Sequence, residues 1–439
     1  MKINRLFYVT TFALLFLSTQ SHAQDEVKPL SLEQAIDSAI LHNESLKQAK
    51  FTALAAKAHS REANAVFLPQ VELSYNAYFT NNPLNAFGFK LQEQSVTPVD
   101  FDPQKLNQPG FNKDFSAQIE VVQPIFNLDA IFQRSSAQHY AKMQEWSQKR
   151  REEYLRFQVK KAYLEIGLAY RTVDVMEKAL TTANAFVERA ESMFNQGLIQ
   201  KADWLEAQVY QNQIRTELKH ATSQVANSSD QLSFLMGTTP GVVYRVDNLI
   251  PTEGVIPSLN LYTRTDLLAY RSGLSAATNK LKADKMSLIP RINAFGNYQF
   301  NDSKPFRFTA DSYFAGIRLS WRIFSGTKDW QKIKASKFEQ QQLISKINEV
   351  QSEAEVDYQK TLRQWTDLNY ERQLSESMVQ QAEEALVIQS DRYQQGLTTT
   401  ADYLRIQTQL SKARLNNEVV TFKKNLTIAY LQLMTSTNE

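Results

Sequence analysis

The chain has 439 residues and a balanced charge, with 49 basic and 46 acidic side chains and a formal net charge of +3. Only 12 Gly and 12 Pro are present, so the composition favours long helices over a loop-rich fold. No basic surface for nucleic acid is indicated, and the absence of Cys excludes disulfides, thiolate metal sites, a cysteine nucleophile and an N-terminal lipid anchor.

The first 23 residues are expected to be a signal peptide. Lys2 and Arg5 precede an apolar segment at residues 6–17, and Ser21 and Ala23 fit a cleavage site for small residues. The remaining chain contains no apolar run of 18 residues, so insertion into a membrane would use strands rather than helices. The sequence therefore predicts an exported protein.

The chain is organised by an internal duplication. Residues 193–208 align with residues 392–407, and Gln, Gly, Leu, Ala, Asp, Leu and Gln recur in the same register. Because a period near 200 residues is too long for a solenoid, gene duplication is the better explanation. We expect a first repeat at residues 24–236, an irregular linker at 237–261 and a second repeat at 262–439.

Each repeat is predicted to contain a helix, two strands, a long helix, a tight turn and a shorter helix. In the first repeat these are a helix at about 30–66, strands at 71–79 and 115–121, a long helix from an N-cap at Asn127 to Gly197, and a helix at about 203–236. In the second they are a helix at about 262–288, strands at about 291–300 and 312–323, a long helix at about 326–393 and a shorter helix at 401–434. Ser325 is the predicted N-cap of this long helix.

The first long helix is predicted to span roughly 68 residues, about 100 Å at about 1.5 Å per residue. Its apolar residues keep a seven-residue spacing, with Val159 and Ile166 in one row and Ala162 and Ala169 in the other. Such heptads are typical of supercoiled helices. The two shorter helices of the first repeat, stacked end to end, would match its length.

The four strands alternate polar and apolar residues and have the length that a tilted transmembrane strand needs. The polar face carries Glu120, Arg291, Arg318 and Arg322, which suits a wet lumen. A soluble amphipathic sheet is the alternative. Four strands are too few to close a barrel, so the chain must oligomerise if they span a membrane.

Four features together carry a family resemblance. They are the repeat, the Pro residues before the first strand of each half, the Ile-Phe pairs at Phe126 and Phe324, and the two Gln-Gly-Leu turns. The sequence resembles TolC-type outer membrane efflux proteins of Gram-negative bacteria. The resemblance implies a mainly α fold with a transmembrane β-barrel: a homotrimer whose twelve strands, four per chain, continue into a long coiled-coil α-helical barrel in the periplasm.

By this resemblance, the chain is an exit duct in the outer membrane, surrounded by outer-membrane lipid. Its partners would be a periplasmic adaptor and an inner-membrane RND or ABC pump. Small-molecule efflux is the first expectation, and type I secretion of protein or peptide is the alternative. An exported coiled-coil structural or adhesive protein is the competing class.

The resemblance also assigns roles near the two tight turns. The adaptor-contact residues would be Gln196, Gly197, Leu198, Gln395, Gly396 and Leu397. The periplasmic gate would be formed by Asp203, Asp402 and Tyr393. The alternatives are that the Gly residues only form turns, that each Asp only caps a helix, and that Tyr393 only packs.

Two features depart from the pattern of the resemblance. Ile199, Gln200, Thr398 and Thr399 stand where relatives can hold an Arg for a locking salt bridge, and Arg405 stands where a second acidic residue can occur.

No enzyme site is expected. The sequence contains no Gly-rich phosphate loop and no Gly-x-Ser-x-Gly turn, and its five His lack the spacing of metal ligands. The Asp100 and Asp102 pair lacks the pattern of a calcium loop, so we expect a solvated loop there. Catalytic residues, cofactors and metals are therefore all predicted to be absent.

Overall fold

The computed structural model describes residues 27–247 and 258–435. The predicted signal peptide and residues 248–257 of the predicted linker lie outside the described residues. The described chain is built mainly from helices, with one four-stranded sheet and one short two-stranded sheet.

The helices are α1 Leu32–His42, α2 Glu44–Glu62, α3 Pro83–Gln92, α4 Pro103–Asn107, α5 Leu128–Asn195, α6 Lys201–Met236, α7 Thr265–Met286, α8 Lys328–Gln394 and α9 Thr400–Thr435. The strands are β1 Lys28–Pro29, β2 Gln70–Thr80, β3 Asn112–Phe126, β4 Tyr244–Arg245, β5 Arg291–Asp302 and β6 Ala310–Ser320. Two 3₁₀ turns, Ala63–Phe67 and Pro98–Phe101, connect these elements.

The long helices confirm the predicted lengths. α5 has 68 residues and α8 has 67, each about 100 Å at about 1.5 Å per residue. Both predicted heptad rows of α5 contribute to the core: Val159, Ile166 and Ala162 are almost fully buried.

Shorter helices pack along α5 and α8. α6 and α2 both lie against α5, and they meet where the Asn43 side-chain amide donates a hydrogen bond to the Leu235 carbonyl at 2.9 Å. α2 and α6 therefore lie end to end along α5, whereas α1, the first part of the predicted helix, packs beside α6. In the second half, α7 and α9 pack along α8 in the same way.

Within residues 27–247 and 258–435, none of the helices is both long enough and apolar enough to cross a membrane.

The main sheet is antiparallel, with strand order β2-β3-β5-β6. In the described part of the chain, β2 and β6 each pair with one neighbour, so the sheet has two open edges. The register separates the side chains onto two faces. The polar face carries Glu72, Ser74, Asn76, Tyr78, Asp114, Ser116, Gln118, Glu120, Arg291, Asn293, Asn297, Gln299, Asn301, Ser312 and Arg318.

The opposite, apolar face is well exposed in the single chain. It carries Val71, Leu73, Tyr75, Phe79, Ile119, Tyr298, Tyr313, Ile317 and Leu319, all more than a third exposed. An exposed apolar surface of this extent requires a partner or a lipid environment.

The single helix predicted at about 30–66 is wrong. Asn43 has an extended backbone that separates α1 from α2, and its side-chain oxygen accepts a hydrogen bond from the Leu46 amide at 3.0 Å. A residue that caps the second helix and bonds to α6 cannot also continue the first helix.

Two predicted boundaries in the second half are also wrong. α8 begins at Lys328 with Thr327 as its N-cap, rather than at the predicted cap Ser325, because Gly326 has a φ of +70° that a helix cannot accommodate. β6 ends at Ser320, which pairs with Arg291. Beyond that pair, Pro290 has no backbone N–H to continue the ladder.

Candidate functional site

The two tight turns predicted near Gly197 and Gly396 close helical hairpins of the same design. In the first, the Leu198 amide donates to the Met193 carbonyl at 2.9 Å and the Gly197 amide donates to the Phe194 carbonyl at 2.8 Å. This is the Schellman pattern, in which the Gly residue takes a positive φ, here +73°. We call residues 196–200 the first tip turn.

The second tip turn, residues 395–399, repeats this geometry. The Leu397 amide donates to the Arg392 carbonyl at 2.9 Å, the Gly396 amide donates to the Tyr393 carbonyl at 3.1 Å, and the φ of Gly396 is +71°. The Gly residues are therefore turn formers, as their alternative interpretation predicted.

An apolar side chain protrudes from each tip turn. In a Schellman turn, the residue after the Gly usually packs back on its own helix. Leu198 and Leu397 instead remain 66% and 61% exposed. Gln196 and Gln395, the C-cap residues of α5 and α8, are exposed beside them. The tip turns thus present apolar contact surface that the chain itself does not use.

The predicted gate carboxylate Asp203 caps the start of α6. Its Oδ2 atom accepts a hydrogen bond from the Gln200 backbone amide at 3.0 Å. A carboxylate in the first turn is favoured by the positive end of the helix dipole. Asp203 therefore has a structural role in the single chain, and it remains partly exposed.

Asp402 has the equivalent role in α9, with an additional partner. Its Oδ2 accepts a hydrogen bond from the Thr399 hydroxyl at 2.8 Å, while its backbone amide donates to that hydroxyl at 3.1 Å. Arg405 lies on the same helix, with its guanidinium 3.6 Å from the other carboxylate oxygen. The Arg405 guanidinium is thus engaged within the chain.

Tyr393 is buried in an aromatic cluster between the two hairpins, which we call the tip cluster: Phe186, Tyr393 and Tyr403. The Tyr403 ring stacks on the Phe186 ring with centroids 4.3 Å apart, and the Tyr393 ring lies 5.1 Å from Phe186. Because Phe186 belongs to α5 whereas both Tyr residues flank the second tip turn, the cluster joins one hairpin to the other.

The hydroxyl of Tyr393 lies 3.1 Å from the Thr400 hydroxyl, which places its hydrogen bond within its own hairpin. Burial raises the pKa of Tyr393, and the negative charge of Asp203 raises this pKa further. Tyr393 therefore stays neutral and packs, while Asp203 remains close enough to act on it electrostatically.

Sequence reasoning missed Phe186 and Tyr403, although the duplication contains a signal for the second. Both repeats place an aromatic residue three positions before and seven positions after the tip Gly. The first pair is Phe194 and Trp204, and the second is Tyr393 and Tyr403; each pair has ring centroids 5.5 Å apart.

The polar face of the sheet brings together three of the four predicted lumen residues. Glu120 lies opposite Glu72 in the register, and like charges placed so close are tolerated only where water screens them. The Arg318 guanidinium lies 4.8 Å from the centre of the Phe295 ring. Arg291 pairs with the buried carboxylate of Asp129 in α5, so it joins the sheet to the helix.

Arg322 is not part of this face. The prediction that it continues the fourth strand is wrong, because β6 ends at Ser320 and Arg322 lies in the connection to α8.

Aromatic residues frame the apolar face at both ends. At the loop end, the Tyr75 and Phe306 rings are stacked with centroids 4.8 Å apart, and the Phe79 and Phe111 rings stack at 5.9 Å. At the helix end, the Trp321 indole N–H donates to the Leu288 carbonyl at 3.0 Å. Such belts are typical of strands that span a membrane.

The loop carboxylates Asp100 and Asp102 are used locally. Asp100 accepts hydrogen bonds from Lys90 and from the Thr97 hydroxyl, and Asp102 caps α4 through the Gln104 amide at 2.9 Å. Among the residues that the structure describes, no cluster of His, Asp or Glu could hold a metal ion.

Comparison with known families decides the assignment. The family model described as "Outer membrane efflux protein" matches residues 35–238 and 256–439, which is most of the chain. The chain belongs to the outer membrane efflux protein family. Among curated proteins, no sequence matches it.

Solved structures of other membrane proteins share the fold of this family member. VceC of Vibrio cholerae is 19% identical with a TM-score of 0.81, over 93% of this chain and 97% of VceC. A membrane protein of Pseudomonas aeruginosa is 17% identical with a TM-score of 0.82, over 94% and 91% of the two chains. The CmeC channel of Campylobacter jejuni is 14% identical with a TM-score of 0.80, over 92% and 85%.

Membership of the outer membrane efflux protein family confirms the resemblance recognised in the sequence and the expected location in the outer membrane of a Gram-negative bacterium. It also establishes that the chain is a transport protein and not an enzyme.

We predict that Tyr403→Leu loosens the second hairpin from the first. The substitution removes the ring stacked on Phe186, and an aromatic pair contributes about 0.5–1.5 kcal/mol beyond its buried area. Amide hydrogen exchange should accelerate around the second tip turn. Tyr403→Phe, which keeps the ring, should exchange as the unmodified protein does; equal protection in both variants would contradict the proposed role of the tip cluster.

Proposed function

We propose that the chain is one subunit of a homotrimeric exit duct that passes substrates from an inner-membrane pump and a periplasmic adaptor to the outside. In this assembly, four strands per chain form a twelve-stranded barrel, and the long helices form a periplasmic tube. The division into two repeats at 24–236 and 262–439, with a linker at 237–261, is kept as part of the proposal.

The observation that carries the proposal is the sheet with two open edges and an exposed apolar face. In lipid, unpaired backbone groups at β2 and β6 would each cost several kcal/mol, so a four-stranded sheet cannot span a membrane alone. Copies of the chain satisfy both edges if β6 of one subunit pairs with β2 of the next. Three copies close a ring of a size known for membrane barrels.

The two faces of the sheet support the same arrangement. The apolar face, framed by aromatic residues, suits the lipid side. The polar face, with Glu72 directly opposite Glu120, suits a water-filled lumen. Arg291 and Arg318 lie on this face, whereas Arg322 is placed by the proposal just below the barrel, in the connection to α8.

The helices provide the periplasmic part of the duct. α5 and α8 extend about 100 Å away from the sheet and end in the tip turns. This length lets the tips reach far into the periplasm. The exposed Leu198 and Leu397, with the flanking residues Gln196, Gly197, Gln395 and Gly396, form the surface that we assign to the adaptor.

We assign the periplasmic gate to the same end of the duct. Asp203 and Asp402 lie in the first turns after the tips and are partly exposed, so a trimer would bring six carboxylates to the narrow entrance. The Tyr393 ring stabilises this end by packing within the tip cluster. Because Arg405 is held by Asp402 in the same chain, we propose that aromatic packing, rather than an Arg lock between subunits, maintains the closed form.

Small-molecule efflux is the proposed activity, with an RND or ABC pump as the energy source. Type I secretion of protein or peptide is the second candidate, since the same duct could serve it. The exported structural or adhesive protein is disfavoured because the chain belongs to an efflux family.

We predict that a photo-crosslinking residue at position 395 captures the adaptor in intact cells, and that adding Leu397→Asp abolishes the capture. A charge at an apolar contact opposes docking because the carboxylate would lose its water. Mass spectrometry should identify a periplasmic adaptor, and the pump encoded with that adaptor would separate small-molecule efflux from secretion.

The matched control places the crosslinker at Leu41 of α1, which is also exposed but does not belong to either helical hairpin that carries a tip turn. This position should not capture the adaptor. Capture of sister chains alone from position 395, in a protein that is abundant and correctly exported, would argue against docking at the tips.

We further predict that the double variant Asp203→Asn, Asp402→Asn lowers the cation selectivity of the channel in planar bilayers. Removing the carboxylates at the entrance should move the cation-to-anion permeability ratio toward one. Asp174→Asn serves as control, because Asp174 pairs with Lys178 on α5 and is not assigned to the entrance. An unchanged ratio in the double variant would refute the gate assignment.

A further inference from the structure

The loop between β2 and β3 folds across the sheet instead of extending away from it. Its helix α3 contacts both β3 and β6. At one end, the Phe89 ring stacks on Tyr78 of β2 with centroids 6.0 Å apart. At the other, the Gln94 side chain donates to the Asp311 carbonyl of β6 at 3.1 Å. Since β2 and β6 are the two edges of the sheet, α3 and the following residue Gln94 together contact both edges.

The face that α3 covers is the polar one. Tyr78 shares this face with Glu72, and it lies opposite Asp114 in the register. Asp114 in turn accepts a hydrogen bond from the side chain of Asn301 at 2.9 Å, also on the polar face. In the proposed duct this face lines the lumen, so α3 lies over the outer mouth.

Three carboxyl groups meet beneath the end of α3. Glu93 follows α3, Asp114 belongs to β3, and Asp302 ends β5. Asp114 is only 1% exposed, and one oxygen each of Asp114 and Glu93 is buried without a hydrogen-bond partner in the described part of the chain. Carboxylates buried near one another repel, and protonation of one of them relieves the repulsion.

The neighbouring groups compensate this repulsion only in part. The Ser95 hydroxyl donates to the other carboxylate oxygen of Glu93 at 3.4 Å, and the charge of Lys90 also favours the ionised form. Lys90, on α3 itself, is engaged by Asp100. The carboxylate of Asp302 accepts from the Lys304 amide at 2.8 Å and from the Thr309 hydroxyl, and Arg307 lies near it.

On the β6 side, Asp311 accepts from the Tyr298 hydroxyl at 2.5 Å. None of these interactions supplies a donor to the free oxygen of Glu93 in the described residues.

Burial, together with the charges of Asp114 and Asp302, raises the pKa of Glu93 to about 7. A carboxyl group with a raised pKa favours the packed arrangement when it is protonated. The packed arrangement is therefore favoured at acidic pH, and it loses stability as the pH rises from the ordinary range of a Glu toward 7.

We propose that α3 is a lid over the outer mouth, held against the polar face when Glu93 is protonated and released when that proton is lost. The proposal rests on the proposed function, which makes the polar face the lumen. The lid would close the duct toward an acidic exterior while leaving the periplasmic gate independent.

Release of the lid has a measurable consequence in the backbone of α3. A helix of 10 residues is marginal in water without packing, so α3 should lose its hydrogen bonds when it leaves the sheet. Amide hydrogen exchange of residues 83–93 therefore reports the fraction of time that the lid is open.

The test compares exchange of this segment in the purified full-length protein and in Glu93→Gln, from about pH 5 to about pH 8. Gln cannot ionise, so this variant should keep the lid closed at every pH. Comparing the two proteins at the same pH removes the effect of pH on the intrinsic rate of amide exchange. The ratio of rates, unmodified to Glu93→Gln, should be near one at the acidic end and rise by about tenfold or more at the alkaline end.

Asp102→Asn is the matched control, since it removes a carboxylate from the same loop while Asn can still cap α4. It should behave as the unmodified protein. A ratio that stays near one across the pH range would overturn the lid proposal, as would an equal response in Asp102→Asn and Glu93→Gln.

A second measurement separates failure of the lid from failure of the duct. Because the chain has no Cys, a single Leu84→Cys variant on the exposed side of α3 can be labelled from outside with an impermeant maleimide. Labelling in intact cells, combined with pH-independent exchange, would overturn the lid alone. Labelling only after lysis would overturn the placement of this loop outside the cell, and the proposed function with it.

Discussion

The open edges of the four-stranded sheet are the constraint on which the rest of the structure depends. β2 and β6 present unpaired backbone groups, and in a membrane those groups must find partners within protein. The apolar face adds a second requirement: because it is exposed in the single chain, it must be covered by lipid or by protein. The proposed ring closure by identical copies would meet both requirements, since it would pair the edges, turn the apolar face to lipid and turn the polar face to water.

The duplication is also visible in the helices that lead away from the sheet. α5 and α8 differ by one residue in length, and both end in a Schellman turn with Gly at positive φ. Equal lengths bring both tips to one level, which a common docking surface requires. The two halves differ in the burial of the aromatic pair beside each tip turn. Tyr393 and Tyr403 are buried against Phe186, whereas Phe194 and Trp204 remain partly exposed.

Periodic features could be predicted from the sequence, whereas contacts between distant segments could not. Heptads predicted α5, the duplication predicted α8, and alternation predicted the four strands, because those patterns reflect which side is buried. The break at Asn43 depends on a hydrogen bond to Leu235, 192 residues away, and the end of β6 depends on Pro290, the residue before the neighbouring strand β5. The path of α3 across the polar face is likewise set by contacts to both sheet edges, which no local pattern encodes.

Disulfide trapping between the two sheet edges tests the central claim most directly. The chain has no Cys, so paired Cys substitutions along β2 and β6 can be scanned without background. Ring closure predicts that register-matched pairs link β6 of one copy to β2 of the next in outer membranes, and that the ladder of linked species stops at three chains. Larger linear species, or no linkage at any register, would contradict a closed trimer.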